Sequence, residues 1–250
     1  ANPVPDRSGS RFDLFGSILL FVTLFVIVLA ISFARVEGWI GPIPITLFVL
    51  SAMLGFSFIK GKKSGLFTIV PSGLMAFNGF KPGAASHLLL TVAAFVMWFL
   101  FPFYITDVMG RTGLVLGAIL ALMAAMNLGG SVIGGWLADS IGDRKIIFAG
   151  ATITAAGLAM AGTTGDAPAM SAVMLATAIV GLGFGIHQAA AYALALRDAP
   201  QEHAGAASAA LSVTQTIGTV LSIALMTSLL NWQMSAGDAL FYEAYRFSFV

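Results

Sequence analysis

Hydrophobic residues in this chain come in long uninterrupted blocks, and the charged positions fall between them. Stretches free of Asp, Glu, Lys, Arg and His cover residues 14–34, 38–59, 88–106, 112–138, 146–165, 167–186 and 204–237. Each approaches or exceeds the ~20 residues that a helix needs to cross a bilayer's hydrocarbon core. None shows the two-residue alternation that lets a barrel strand face lipid on one side and a lumen on the other. The pattern predicts transmembrane helices over residues 12–34, 43–59, 84–107, 113–138, 144–163, 169–197 and 205–231, with a further apolar run opening at Phe241. Between the second and third helices, Lys62 and Lys63 lead into an apolar stretch too short to span comfortably, which predicts an interfacial segment over 66–83.

Composition supports the same environment. With 58% hydrophobic and 9% charged residues among 250, the chain cannot cover its apolar surface in water, so an all-α integral membrane protein is expected. Charge then sets orientation. If residues 1–11 are cytoplasmic, Arg7, Arg11, Lys60, Lys62, Lys63, Lys81, Arg144, Lys145 and Arg197 fall inside and only Arg35, Arg111 and Arg246 outside, as the positive-inside rule requires. A cytoplasmic membrane of bacterial type is the expected location. The chain opens on Ala1 without a signal-peptide pattern and stops inside the run from Phe241, so it reads as part of a longer polypeptide.

Several function classes drop out. A net charge of +1 without a basic stripe gives no footprint for nucleic acid. The absence of Cys excludes disulfides, thiolate nucleophiles and Cys-ligated zinc. There is no His-Glu-x-x-His, no Walker loop, no nucleophile–base set and no pair of intramembrane carboxylates, so neither an enzyme nor a metal or cofactor site is expected. Gly181-x-Gly183-x-Gly185 lacks the preceding strand and the spacing of a dinucleotide loop, and reads as helix packing, as do Gly113-x-x-x-Gly117 and Gly130-x-x-x-Gly134.

Two groups of residues carry candidate chemistry. The first is the charged hairpin Gly135-Trp-Leu-Ala-Asp139-Ser-Ile-Gly142-Asp-Arg144-Lys145 between two membrane-length helices. Gly135 lets helices approach closely, Asp139 can accept from the N–H groups of a helix start or pair with Arg144, Gly142 permits the reversal, and Arg144 with Lys145 anchors the turn at an anionic leaflet. The second group comprises polar residues inside the spans, which are costly there. His187 and Gln188 either line a cavity and couple protons or are satisfied by a neighbouring helix. Asn127 and Gln215 present the same choice between cavity lining and interhelical hydrogen bonding. Asp107 and Arg111 flank an outer turn and read as a solvated helix end.

The hairpin resembles the loop signature of the major facilitator superfamily, Gly-x-Leu-Ala-Asp-Arg-x-Gly-Arg-Arg/Lys, with Gly135, Leu137, Ala138, Asp139, Gly142 and Arg144 in register. Ser140 and Asp143 stand where that signature has a base. Tyr104-x-x-x-Val108-x-Gly110, Gly117, Gly205-Ala-Ala-Ser208 and Gln215-x-x-Gly218 are similar to features of the fourteen-span drug:proton antiporters. The resemblance implies that residues 1–65 hold a polar segment and the extra central helix pair of that branch. Residues 84–250 would be its carboxyl-terminal six-helix half, with the last helix cut short. It further implies a lipid-embedded antiporter for small hydrophobic or cationic compounds whose amino-terminal half is supplied elsewhere. The rival reading is a non-transporting subunit that serves as a scaffold in a larger membrane complex. A facilitator for sugars or anions predicts spans richer in charges and amides.

Overall fold

The computed structural model describes residues 14–63, 77–163 and 169–235. The amino-terminal polar segment, most of the predicted interfacial stretch and the run from Phe241 lie outside the described residues. Every regular element among the described residues is a helix, and the chain divides into two compact units at Pro71 and Ser72.

The first unit is a helix pair, α1 (Leu14–Glu37) and α2 (Pro42–Lys63). Gly38, at φ +83°, makes the turn between them, and Trp39 stacks on Phe48 at 6.1 Å. The apolar part of α2, Pro42–Phe58, is shorter than that of α1 and sits at the lower limit of what crosses a bilayer.

The second unit contains α3 (Phe80–Phe103), α4 (Gly113–Ile141), α5 (Asp143–Gly162), α6 (Met170–Leu196) and α7 (Gln201–Ser235). Each has an apolar stretch long enough to span. α3 begins at Phe80, a full turn before the predicted Ala84, and α7 runs past the predicted 205–231 at both ends. At its far end α3 loosens into one π-helical turn, Tyr104–Val108. Pro102, which has no N–H for the regular ladder, lies just before this turn. Within the turn, Met109 N–H reaches back to the Tyr104 carbonyl at 2.9 Å.

α6 packs against α4, α5 and α3. Its sequence makes this possible, since residues two apart on a helix point to nearly opposite sides. Gly181 and Gly185 present bare backbone to α4, and Gly183 presents it to α5. The partners answer in kind: a Cβ at Gly134 would lie 2.6 Å from the Ile186 carbonyl oxygen, and one at Gly150 would lie 2.5 Å from the His187 nitrogen. Near its carboxyl end α6 meets Gly83 of α3, where a Cβ would stand 2.7 Å from the Ala191 carbonyl oxygen. At the opposite end of the unit the contacts are made by large side chains, with Met97, Leu100, Phe101, Tyr104, Ile119 and Met123 buried together. Outward positions are apolar instead, including Leu114 at 85% exposure and Phe148 at 76%, as expected of a surface bathed in lipid.

Of the predicted glycine pairs, Gly130-x-x-x-Gly134 makes the close approach, while at Gly113 and Gly117 a Cβ would meet nothing within 4 Å among the described residues. A Cβ at Gly185 would strike the Asn127 carbonyl oxygen and lie 2.8 Å from the Ser131 nitrogen, both backbone atoms that cannot step aside. Gly185→Val is therefore expected to destabilise the full-length protein by at least about 1–3 kcal/mol. Gly117→Ala should leave its melting temperature in detergent unchanged or slightly raised. Equal melting temperatures for Gly185→Val and wild type would refute the packing.

Candidate functional site

The hairpin joins α4 to α5 through the single residue Gly142, whose φ of +105° an L side chain rarely adopts. Gly135 does not make the close approach expected of it. A Cβ there would meet nothing within 4 Å among the described residues, and Gly134, one position earlier, faces α6 instead. Asp139, Arg144 and Lys145 are exposed, and among the described residues Asp139 and Arg144 form no ion pair with each other. The ion pair of the hairpin uses a different carboxylate. Asp143, its side chain 1% exposed, sits in the first turn of α5 and places Oδ2 2.7 Å from an Arg197 guanidinium nitrogen just past α6.

This pair has two supports besides Coulomb attraction. A carboxylate in the first turn of a helix lies near the positive end of the helix dipole, and Arg197 at the end of α6 lies near a negative one. Arg197 remains 54% exposed, so water shares its charge. A cavity of about 370 Å³ opens alongside, lined among others by Asn78, Gly79, Gly142, Asp143, Arg197 and Asp198. The basic signature position therefore carries an acid whose counter-charge is basic.

Inside the span, α6 buries His187 against α5. Its Nδ1 lies 3.0 Å from the Ile147 carbonyl oxygen. A carbonyl only accepts, so Nδ1 carries the hydrogen and Nε2 is left buried with no partner among the described residues. His87 of α3 completes the group. It is fully buried, its ring lies edge-on to Tyr192 at 5.1 Å and tilted to Phe184 at 6.1 Å, and neither nitrogen has a hydrogen-bond partner among the described residues. Gln215 of α7 stands beside this ring, and its two aromatic neighbours, Phe184 and Tyr192, flank His187 along α6.

The structure thus brings His187 and Gln215 together through His87. Gln188, the next residue around α6, is half-buried. Asn127 is half-buried on α4, where its backbone carbonyl closes on Gly185. Neither amide side chain has a hydrogen-bond partner among the described residues. Sequence reasoning passed over His87, which falls in the first turn of the helix predicted over 84–107 and borders a charge-free block. The start of α3 at Phe80 places it two turns inside. Asp143 was read as a missing base, and a search for an unpaired base at the end of the next helices would have found Arg197.

Arg197→Ala leaves a buried carboxylate with no counter-charge. Breaking a fully buried pair costs about 3–5 kcal/mol, and the exposure of Arg197 reduces this to ~1–2 kcal/mol. The exchanged pair Asp143→Arg with Arg197→Asp should recover part of the loss but not all, since each charge then faces the wrong end of a helix dipole. Thermal unfolding of the single and double variants checks this, and a double variant no better than the worse single one would contradict the pairing.

Residues 60–223 match the family model of the Major Facilitator Superfamily. The chain is 26% identical over 144 residues to an MFS-type transporter, YhcA, of Bacillus subtilis, covering 58% of this chain and 27% of that protein. It is 25% identical over 220 residues to a tetracycline resistance determinant of Streptomyces rimosus, covering 87% and 63%. To a puromycin resistance protein of Streptomyces alboniger it is 27% identical over 233 residues, covering 90% and 46%. The chain spans less than two thirds of the length of each of these relatives. Its membrane-length helices, its hairpin and the extent of the family match together make it a member of the Major Facilitator Superfamily, a family of transporters and not of enzymes.

Proposed function

We propose that this chain supplies the central helix pair and the carboxyl-terminal half of a fourteen-span exporter that expels hydrophobic or cationic compounds in exchange for protons. The observation that carries the reading is the family match joined to relatives named for antibiotic resistance. The residues agree with it. An outward apolar surface and a unit built around one buried polar cluster suit a half that lines a midplane site with another half. Asn127, His187, Gln188 and Gln215 are this half's contribution to the cavity or to its helix contacts. The chain lies in a cytoplasmic membrane with the hairpin on the cytoplasmic side.

The hairpin gates the cycle by division of labour. Asp143 and Arg197 pin α5 to α6 inside the half, which leaves Asp139, Arg144 and Lys145 exposed and available to the opposing surface. Gly142 holds these charges on a rigid turn, and Gly135, with its open face, lets the opposing half come close. Contacts of this kind, made in one conformation and broken in the other, bias an alternating-access equilibrium.

The full-length protein in liposomes should expel a fluorescent aromatic cation when a proton gradient is imposed, and collapse of the gradient should stop it. Flux that ignores the gradient would refute proton coupling. Asp139→Asn is expected to slow export on the order of tenfold, within the range of conformational coupling energies. Export and conformational accessibility both at wild-type level in that variant would remove the gating role.

A further inference from the structure

Three ring nitrogens without partners lie buried where α3, α6 and α7 meet beside the start of α5: both nitrogens of His87 and Nε2 of His187. We propose that His87 and His187 form one proton-binding site within the membrane, which holds a single exchangeable proton between them. The proposal rests on the proton-coupled reading above and assigns its site within this half.

The geometry defines what each ring can do. His187 commits Nδ1–H to the Ile147 carbonyl oxygen, which fixes the ring and leaves the Nε2 lone pair as the base. An incoming proton binds there and makes an imidazolium whose Nδ1–H bond is strengthened by the charge. His87 is fully buried, and its backbone carbonyl is occupied by the Thr91 hydroxyl at 2.7 Å. Its ring has no comparable tie and is free to take up the proton or pass it on. Both rings lie along the same stretch of α6, since His87 packs on Phe184 and Tyr192 on either side of His187, and two imidazolium charges in so low a dielectric repel, so the pair carries one proton at a time.

Nothing else titratable on the surrounding helices competes for this place. On α3 the nearest other ionisable group is Lys81, exposed in the first turn. On α5 the ionisable residues are Asp143, Arg144 and Lys145, all in its first turn. α6 adds Tyr192, whose ring meets His87 edge-on and whose hydroxyl faces Ser212, and then Arg197 and Asp198 beyond its end. On α7 only Glu202 and His203 are ionisable, in the first turn and more than three turns before Gln215. Gln215, beside His87, can donate to a bare ring nitrogen or accept from a protonated one, so it serves either state.

The test uses the full-length protein in liposomes and two readouts. Export is measured with and without a pH gradient for His87→Gln, His187→Gln and the double variant. Each single substitution should bring the ratio of the two rates close to one, and the double should be no worse than either, because the residues act as a unit. A gradient response kept by either single variant, or losses that multiply in the double, overturns the proposal. Imidazole nitrogen NMR on isotopically labelled protein, assigned by these substitutions, supplies the second readout and does not depend on transport. The wild-type rings should titrate as a coupled pair, with His87→Gln shifting the titration of His187, whereas independent titration overturns the proposal. Coupled titration in a wild type whose export ignores the gradient would leave the paired site standing and defeat the antiport reading instead.

Discussion

The contact on which the second unit depends is backbone against backbone along α6. Glycines on α6 and on both its neighbours bring helix axes close enough that a single methyl group has nowhere to go. Such interfaces suit a membrane, where lipid tails are as apolar as leucine and association relies on close packing. They also fix register. A one-residue slip of α6 would turn Gly183 away from α5 and drive Phe184 or Leu182 into its backbone. With both α4 and α5 held to the same helix, their connection must reverse within one residue. Gly142 meets that demand, and Asp143 is buried as a result.

Much of this was legible in the sequence. Long charge-free blocks gave the helices, and the charges between them gave the hairpin and its family. The close packing at Gly130, Gly134 and the Gly181 to Gly185 run could be anticipated as well. Which glycine meets which neighbour could not. Gly113 and Gly117 have the same spacing as Gly130 and Gly134, yet they face outward, because spacing specifies a shared face and not what lies opposite it. Gly135 belongs to the family signature, but the helix turns its neighbour Gly134 to α6. The Asp143–Arg197 pair joins residues far apart in sequence, and only the fold shows that they meet.

The buried polar groups divide by chemistry. Thr91, Thr154 and Thr177 each donate to the carbonyl one turn earlier, at 2.7–2.9 Å, and so satisfy their hydroxyls within their own helices. An imidazole is too long and too rigid to do this and must find its partners on other helices. His187 has found one of two, and His87 neither. A buried threonine in this unit is therefore a local event, whereas a buried histidine depends on how several helices are placed relative to one another.

The two ends of the α3–α6 contact differ in thickness. At the hairpin end Gly83 rests on α6 with no side chain between, while toward the π-helical turn the space is filled by Met97, Leu100, Phe101 and Tyr104. The interface is a wedge. Glycine against backbone is incompressible and fixes a fulcrum, whereas methionine and leucine can exchange rotamers to fill a changing gap. A small rocking of α3 about the hairpin end would be absorbed as side-chain repacking at the thick end, where Pro102 has already broken the regular hydrogen-bond ladder.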